Sequence, residues 1–437
     1  MFKGVSGYKI KMGLNKFSTS TSHLNKSNDS KKFNLDSVSK DFLQWFSGFT
    51  DAEGNFLISI DRNYVRFRFK ISLHIDDIET LNIIKSKLNI GRVVTEKSRN
   101  SCSFVVQDFT EIKHVICALF NKFPLYTSKR LDLDDFYKAV VIKEANNSLS
   151  DVDKERIINL KNGMNSKREN YMYSITDSQI KINPNWFIGF LEGEGTFGIK
   201  TGSSLYLQVA QKNTSQVCLN AIVTFLTSLD SNLKQGSKIL PLNVVSTVNA
   251  KTNVTSLVIS SVDTLYYYIL PILDGHTMYT YKYTSFKLWR AALILKIHGY
   301  YLLPEGKKLF LDISYILNKR YSTGPIQNVE DIILNIFKRY EDILLKNPPF
   351  DVSSNTPHLN NVRVFGMLNS SKNPKTVYIY ENGSLINGSP FVSYSEVHKV
   401  LGLKSTSNTC NRYIDTDRLY KSKYLITSKP IDNIPKV

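Results

Sequence analysis

Two pairs of acids carry the chemical potential of this chain: Asp51 with Glu53, and Glu192 with Glu194, each ending an apolar stretch and followed at once by glycine. Each stretch has helical periodicity, which puts its acids at a helix carboxyl end, where the macrodipole is already negative and cations are favoured. If the two helices run side by side, four carboxylates converge. Divalent cations would relieve the repulsion, and such ions can activate water and stabilise a leaving oxygen in phosphodiester hydrolysis. Hard oxygen ligands suit Mg²⁺. One copy alone has a simpler reading, a helix stop with Gly54 left-handed and acids that cap a neighbour. Two copies in one frame argue for chemistry.

The copies belong to a longer duplication. WFSGFTDAEGNFLI from Trp45 and WFIGFLEGEGTFGI from Trp186 share Trp, Phe, Gly, Phe, an acid, Glu-Gly, Phe and a closing Ile, and the equivalent Gly48 and Gly189 lie 141 residues apart. That period is too long for a solenoid and suits a duplicated small domain. Behind Ser39, a candidate N-cap, Phe42, Trp45, Phe46 and Phe49 recur at helical spacing. Glycine costs a helix interior about 1 kcal/mol relative to alanine, so its recurrence on this apolar face predicts the close approach of another backbone.

Similar elements follow each motif. The first copy continues with strands at Asn55 to Ile60 and Val65 to His74, a helix opening at Asp76 or Asp77, strands at Gly91 to Lys97 and Ser101 to Asp108, and a helix at Thr110 to Phe120. The second continues with Thr196 to Lys200, Leu205 to Lys212, a helix from Asn213 to Leu229, strands near Val244 to Val248 and Thr255 to Ser260, and a helix from Val262. Each half reads α-β-β-α-β-β-α, an α+β fold with further helices packed outside. The chain divides into a basic leader (1–37), half 1 (38–163), a polar linker (164–182), half 2 (183–346), a second linker (347–373) and a small module (374–437).

In Val65 to His74 the apolar residues alternate with Arg66, Arg68, Lys70, Ser72 and His74, a half-buried strand whose outer face holds no acid. Such a face can pair phosphates and guanine edges. In the second half Tyr206, Gln208 and Ala210 take the outer positions and Lys212 closes the strand. This surface carries less charge and suits bases more than phosphates.

Composition agrees with a nucleic-acid partner. Among 437 residues Lys and Arg outnumber Asp and Glu by 56 to 38, a formal charge of +18 that attracts a polyanion. A membrane is excluded as a spanned medium, since no apolar run approaches the roughly 20 residues required. The four cysteines lie far apart without a CxxC pair, which argues for reduced thiols and against a zinc or redox site. No HNH pattern, phosphate-binding GxxxxGKS loop or Ser/His/Asp arrangement points to another enzyme class. Residues 1–28 are rich in Ser, Thr, Asn and Lys, with no acid before Asp29. That bias fits a mitochondrial transit peptide or a disordered basic leader.

FSGFTDAEG and FIGFLEGEG resemble the two motifs of a single-chain LAGLIDADG homing endonuclease, and the resemblance extends over residues 38–345. It implies two pseudo-twofold-related halves whose saddle-shaped antiparallel sheets straddle DNA in the major groove. Glu53 and Glu194 then bind the metal, Mg²⁺ or another divalent cation, as catalytic carboxylates. Gln211 would stand near the reacting water, with Leu73 in the equivalent place of half 1. Aligning FPLYTSKR with HTMYTYKY gives Lys129 and Lys282 as positioning or charge-stabilising residues. The resemblance further implies a mitochondrial, intron-encoded monomer that cuts both strands of a long double-stranded DNA target and so promotes intron copying. Two other readings stay open: a maturase that binds its host intron RNA, and a retired nuclease that only binds nucleic acid. Intact acids at both positions favour the enzyme.

In the C-terminal module PKTVYIYENGSLINGSPF suggests a strand pair, and the following residues suggest two short helices joined at Gly402. Ser393 caps the first, Ser405 or Thr406 opens the second, and Thr406, Ser407, Asn408 and Arg412 lie on it, the layout of a helix-turn-helix reader. Lys421, Lys423 and Lys429 add charge. The module resembles small DNA-binding repeats appended to intron-encoded nucleases; a plain stabilising domain is the alternative.

Overall fold

The computed structural model of the chain describes residues 35–61, 64–145, 149–172, 175–200, 204–230, 242–319, 326–349, 376–404 and 407–431. The basic leader up to residue 34, most of the second linker and Thr406 therefore lie outside the described residues.

Half 1 runs α1 (Lys40–Glu53), β1 (Gly54–Asp61), β2 (Tyr64–His74), α2 (Ile78–Leu88), β3 (Arg92–Glu96), β4 (Ser101–Val106), α3 (109–122), α4 (Lys129–Ala145) and α5 (Asp151–Asn162). Half 2 runs α6 (Pro184–Glu194), β5 (Gly195–Ile199), β6 (Leu205–Lys212), α7 (Gln216–Thr227), β7 (Val245–Asn249), β8 (Val254–Ile259), α8 (262–275), α9 (Lys282–Ile297), α10 (Pro304–Ile316) and α11 (Val329–Leu344). Each half holds one four-stranded antiparallel sheet, in the orders β1-β2-β4-β3 and β5-β6-β8-β7. The expected α-β-β-α-β-β-α order is present twice. The duplication reaches finer detail, because α3 and α8 each contain a π-helical segment, at Ile112–Cys117 and Leu265–Ile269.

Capping and packing explain the motif helices. Ser39 Oγ accepts the Phe42 amide at 3.2 Å to start α1, and Asn183 Oδ1 accepts the Trp186 amide at 2.9 Å to start α6, with Pro184 pre-setting the first turn. Both helices are nearly buried throughout and lie against each other at the centre of the molecule. A Cβ on Gly48 would stand 1.9 Å from the Trp186 carbonyl oxygen, and one on Gly189 would stand 2.0 Å from that of Trp45. Only glycine admits this approach. Behind the helices the cores are dense with rings: Phe46, Phe56, Phe69, Phe120 and Phe136 interlock in half 1, and Phe197, Phe286 and Trp289 in half 2.

Several boundaries differ from those the periodicity predicts. The motif helices continue through their acids to Glu53 and Glu194. Gly54 is extended (φ −71°, ψ 153°), so the left-handed helix stop is wrong and the chain passes straight from helix to strand. The helix expected from Asn213 begins at Gln216, because Asn213–Ser215 tighten into a 3₁₀ turn. The segment between the halves is pinned at both ends: Arg168 bonds Asp132 and Asp135 at 2.9 and 2.6 Å, and Asn220 donates to Asp177 at 3.4 Å.

The outer layer is partly duplicated as well. Asn165 and Asn318, both left-handed (φ 57° and 63°), donate their amides to the carbonyls of Phe56 (3.0 Å) and Phe197 (2.8 Å). These bonds tie distant chain to the first strand of each sheet, just beyond the motif.

The C-terminal module has its own core of Val377, Ile379, Phe391, Val397, Cys410 and Ile426. Its strand pair, β9 (Tyr378–Glu381) with β10 (Ser384–Leu385), gains a third strand, β11 (Tyr424–Thr427), from the lysine-rich segment. Helix α12 (Tyr394–Val400) starts at Ser393 as expected. The next helix, α13 (Thr409–Tyr413), is shorter than expected: Ser407 and Asn408 precede it, and Arg412 lies on it. Among the module's contacts with α10, Lys308 pairs with Asp417 at 2.6 Å, and Arg418 pairs with Asp312 while its guanidinium covers Tyr315.

Candidate active site

The side-by-side helices bring the four acids to one end of the interface, yet the structure divides their work. Asp51 and Glu192 are buried and turned inward. Asp51 accepts the amides of Tyr126 (2.7 Å) and Thr127 (3.0 Å), the Thr127 hydroxyl (2.6 Å) and, across the interface, the indole N–H of Trp186 (3.2 Å). Glu192 accepts the amides of Tyr279 and Thr280, the Thr280 hydroxyl and the indole N–H of Trp45. The expectation that four carboxylates converge on cations is thus corrected. Two of them are filled by donors and act as structural locks, each half's tryptophan reaching the other half's acid.

Burial pushes Glu192 up to about 7 and Asp51 up to about 6, against the pull of those donors. A hydrogen bond to a charged acceptor contributes about 1.5–3 kcal/mol, and the orphaned partner adds its own desolvation cost. Trp45→Phe and Trp186→Phe are therefore each expected to destabilise the chain by about 2 kcal/mol in urea unfolding. Midpoints unchanged from wild type would show that the locks are ornamental.

The lock residues were not singled out by motif and spacing, although a signal for them exists in the sequence. Trp45 and Trp186 begin the two motif copies, and Tyr126-Thr127 and Tyr279-Thr280 occupy equivalent places in the two aligned lysine segments. A repeated buried-type residue and a repeated Tyr-Thr are the two sides of one duplicated contact. A second exchange gives even less sign of itself: Asp77 accepts the Tyr281 amide at 2.6 Å and Ser215 accepts the Ser128 amide at 3.0 Å.

Glu53 and Glu194 take no part in these two locks. They end the two helices where these are still in close contact: a Cβ on Gly193 would fall 2.2 Å from Ala52 Cβ and 3.2 Å from Glu53 Oε1. Glu194 is pushed up to about 7, first by burial and then by the Glu53 charge, while Lys129, Lys282 and Gln211 oppose the shift. Gln211 Nε2 donates to Glu194 Oε1 at 2.8 Å. Lys129 and Lys282 start helices directly behind the motif. Lys129 Nζ donates to the Ala52 carbonyl at 3.0 Å, and Lys282 Nζ donates to the carbonyls of Leu191 (3.2 Å), Gly193 (3.0 Å) and Gly195 (2.5 Å). Both ammoniums neutralise the negative helix ends. Burial lowers the Lys129 pKa, and the charges of Asp51, Glu53 and Glu194 resist that shift.

A cavity of about 430 Å³ opens beside Glu53, lined among others by Leu73, His74, Glu192, Thr196, Lys282 and Asn318. On β2, Arg66, Arg68 and Ser72 project outward and exposed, Lys70 is half-buried, and Ser72 Oγ lies 3.1 Å from Ser103 Oγ. His74 turns back, its Nδ1 accepting the Asp76 amide at 3.2 Å. On β6, Lys212 is exposed and Gln208 donates to Ser256 at 3.4 Å. Tyr206 lies flat across Gly198, where a Cβ would meet the ring at 2.1 Å. Arg412 and Ser407 belong to the separate module, whose core is distinct from the one that carries the acids.

Comparison with known proteins gives a consistent picture. A family model described as LAGLIDADG endonuclease matches residues 46–140 and 187–293. The uncharacterised mitochondrial protein RF1 of Saccharomyces cerevisiae is 27% identical over 93% of this chain and 85% of its own length. A probable intron-encoded endonuclease of Schizosaccharomyces pombe, Cox1-I1b, is 32% identical over 38% of this chain; the chain spans 44% of that protein's length. Among solved structures, the LAGLIDADG homing endonuclease I-GzeII in complex with its DNA target aligns with a TM-score of 0.53 and 25% identity, covering 63% of this chain and 98% of that one.

Proposed function

Because this chain is a LAGLIDADG protein with its domain in two parts, we propose that it is a site-specific DNA endonuclease, hydrolysing both strands of a long duplex target in the mitochondrion and so promoting intron mobility. The observation that carries this reading is the division of labour among the acids: two are spent on the interlock, and Glu53 and Glu194 remain together where the helices end.

A divalent cation fits that pair. Two carboxylates, one of them penalised by burial and by the other's charge, gain from a cation between them. Among the described residues no group of three or more His, Cys, Asp or Glu side chains could hold a metal without help. Mg²⁺ suits such a sparse set, since it is commonly held by one or two carboxylates with substrate phosphates and water completing the shell. When bound it would stabilise charge developing on the phosphate oxygens.

The chain's own residues do the rest. Gln211 orients Glu194, and Lys129 and Lys282 hold the helix ends rigid and offset their charge. Arg66, Arg68, Lys70 and Ser72 on β2, with Tyr206, Gln208 and Lys212 on β6, would face DNA, and His74 would border the reacting phosphate. Arg412 and Ser407 of the module would reach flanking duplex. Because the pseudo-twofold axis lies within one chain, a monomer suffices. Among the described residues no helix is long and apolar enough to cross a membrane.

The test is to incubate the purified chain with a plasmid carrying mitochondrial intron-insertion sequences, with Mg²⁺ or with EDTA. A single Mg²⁺-dependent double-strand break is expected. Retention of that DNA in a gel without any strand break in any divalent cation would sink the enzyme reading. The sheet assignment has its own check. Arg66→Ala and Arg68→Ala should each weaken binding and lower the slope of log affinity against log salt by about 1, the change expected when one phosphate is no longer neutralised. Slopes identical to wild type would remove these residues from the interface.

A further inference from the structure

We infer that the two halves read different kinds of base pair through one equivalent rung of each sheet, half 1 selecting guanine and half 2 selecting an A·T pair. The inference rests on the endonuclease reading, which supplies the duplex, and deepens it. Gly54 pairs with Ile71 and Gly195 with Val209, so Lys70 and Gln208, each one place earlier on its strand, are equivalent. The rung through Lys70 continues across half 1 to Val105 and then Arg92. The rung through Gln208 continues across half 2 to Val258 and then Val245. The middle residue is valine in both, while the two cations beside it in half 1 become an amide and an alkyl group in half 2. Charge is the variable.

Partners in a rung share one sheet face, and the residues on either side of Lys70 and Gln208 are buried in the cores, so both rungs lie on the outer faces. Arg92 is exposed there, and so is Val245, at 47%. In the major groove guanine offers two acceptors, O6 and N7, which suit a cation such as Lys70 or Arg92. Adenine offers an acceptor beside a donor, which suits a glutamine amide, and thymine offers a methyl group, which suits an exposed valine. Gln208 donates one N–H to Ser256 Oγ at 3.4 Å; its amide carries a second N–H and a carbonyl, the two groups that adenine pairs with. The partner of Arg92 is the neutral amide of Gln107, at 2.5 Å, which leaves the guanidinium charge uncompensated. A further pair of equivalent positions, Glu96 and Asn249, also differs, but both side chains are engaged locally. Glu96 pairs with Arg99 at 3.4 Å, and Asn249 accepts the amides of Lys251 and Thr252. The discrimination therefore falls on the rungs.

The experiment selects bound sequences from a library of random duplexes with the full chain in EDTA, and sequences them. The wild type should retain sites with guanine fixed in one half and A·T pairs at the symmetry-related position of the other. Exchanging residues between the rungs then assigns each half-site to its reader. Gln208→Lys and Val245→Arg should each replace an A·T preference by guanine in the A·T half alone, and Arg92→Val should relax guanine in the other half, each by about tenfold in relative affinity. A merely structural role would weaken binding to all sequences and leave the preferred bases unchanged. Equal guanine content in the two half-sites, or exchanges that leave the selected bases as they were, would overturn the inference. The selected duplex is finally incubated with the wild type and Mg²⁺, which scores the endonuclease reading separately. A duplex that is bound with these base preferences but never cut would sink that reading and leave the assignment of bases standing; a cut duplex with matching half-sites would do the reverse. Binding without any sequence preference would overturn both.

Discussion

Glu53→Gln combined with Glu194→Gln is expected to reduce DNA cleavage by at least about 10³-fold while leaving target binding equal to or tighter than that of the wild type. Glutamine keeps the size of the side chain and removes its charge, so the helix ends and the cavity beside them should be preserved. What disappears is the pair of negative charges that a divalent cation would join. Without a divalent cation, less negative charge facing a polyanion favours binding of the duplex. Rates from single-turnover cleavage in Mg²⁺ and affinities from gel shifts in EDTA separate the two effects. Cleavage within tenfold of wild type in the double variant would remove these carboxylates from the reaction. A parallel collapse of binding would instead point to misfolding, and far-ultraviolet circular dichroism would reveal it.

The second large effect belongs to stability. Gly48→Ala or Gly189→Ala should lower the thermal midpoint by at least about 10 °C, and the paired variant should not accumulate as folded protein. The added methyl carbon would sit 1.9 or 2.0 Å from a carbonyl oxygen of the facing helix, and that oxygen is backbone. A flexible side chain could move aside; a helix cannot move alone. The helices would have to separate, which pulls Trp45 from Glu192 and Trp186 from Asp51 and leaves buried acids without their donors. The expected loss exceeds about 4 kcal/mol, beyond ordinary overpacking, because the helix packing and the locks fail together. Differential scanning calorimetry measures it. Midpoints within about 2 °C of wild type would mean that the interface tolerates more separation than its geometry indicates.

Much of the architecture is legible in the sequence because duplication doubles every signal. The strand Val65 to His74 alternates so regularly that its inner and outer faces can be assigned, and burial in β2 follows that alternation. Aligning the copies sets Gln211 against Leu73, and the strand register agrees. What stays hidden is contact between side chains far apart in the chain. Asp51 and Glu53 look alike in sequence, and only the positions of Thr127 and Trp186 make the first a lock. The flat ring of Tyr206 is a related case: its alternation puts it on the outer face, but Gly198 opposite offers a space that the ring fills. The second module helix is overrun because Ser407 and Asn408 have capping chemistry and sit before the helix rather than on it.

The tryptophan-acid exchange has a consequence for how such a chain must be tethered. Each half brings one tryptophan, one acid and one close-approach glycine to the interlock, so a free half would meet the same complement on a second copy of itself. The interface is self-complementary by construction. Joining the halves through residues 164–182 gives each the other as a neighbour at an effective concentration on the order of millimolar, which outcompetes encounters between copies in dilute solution. Covalent connection thereby decides which halves meet, and it frees their outer faces to become as unlike as β2 and β6 are.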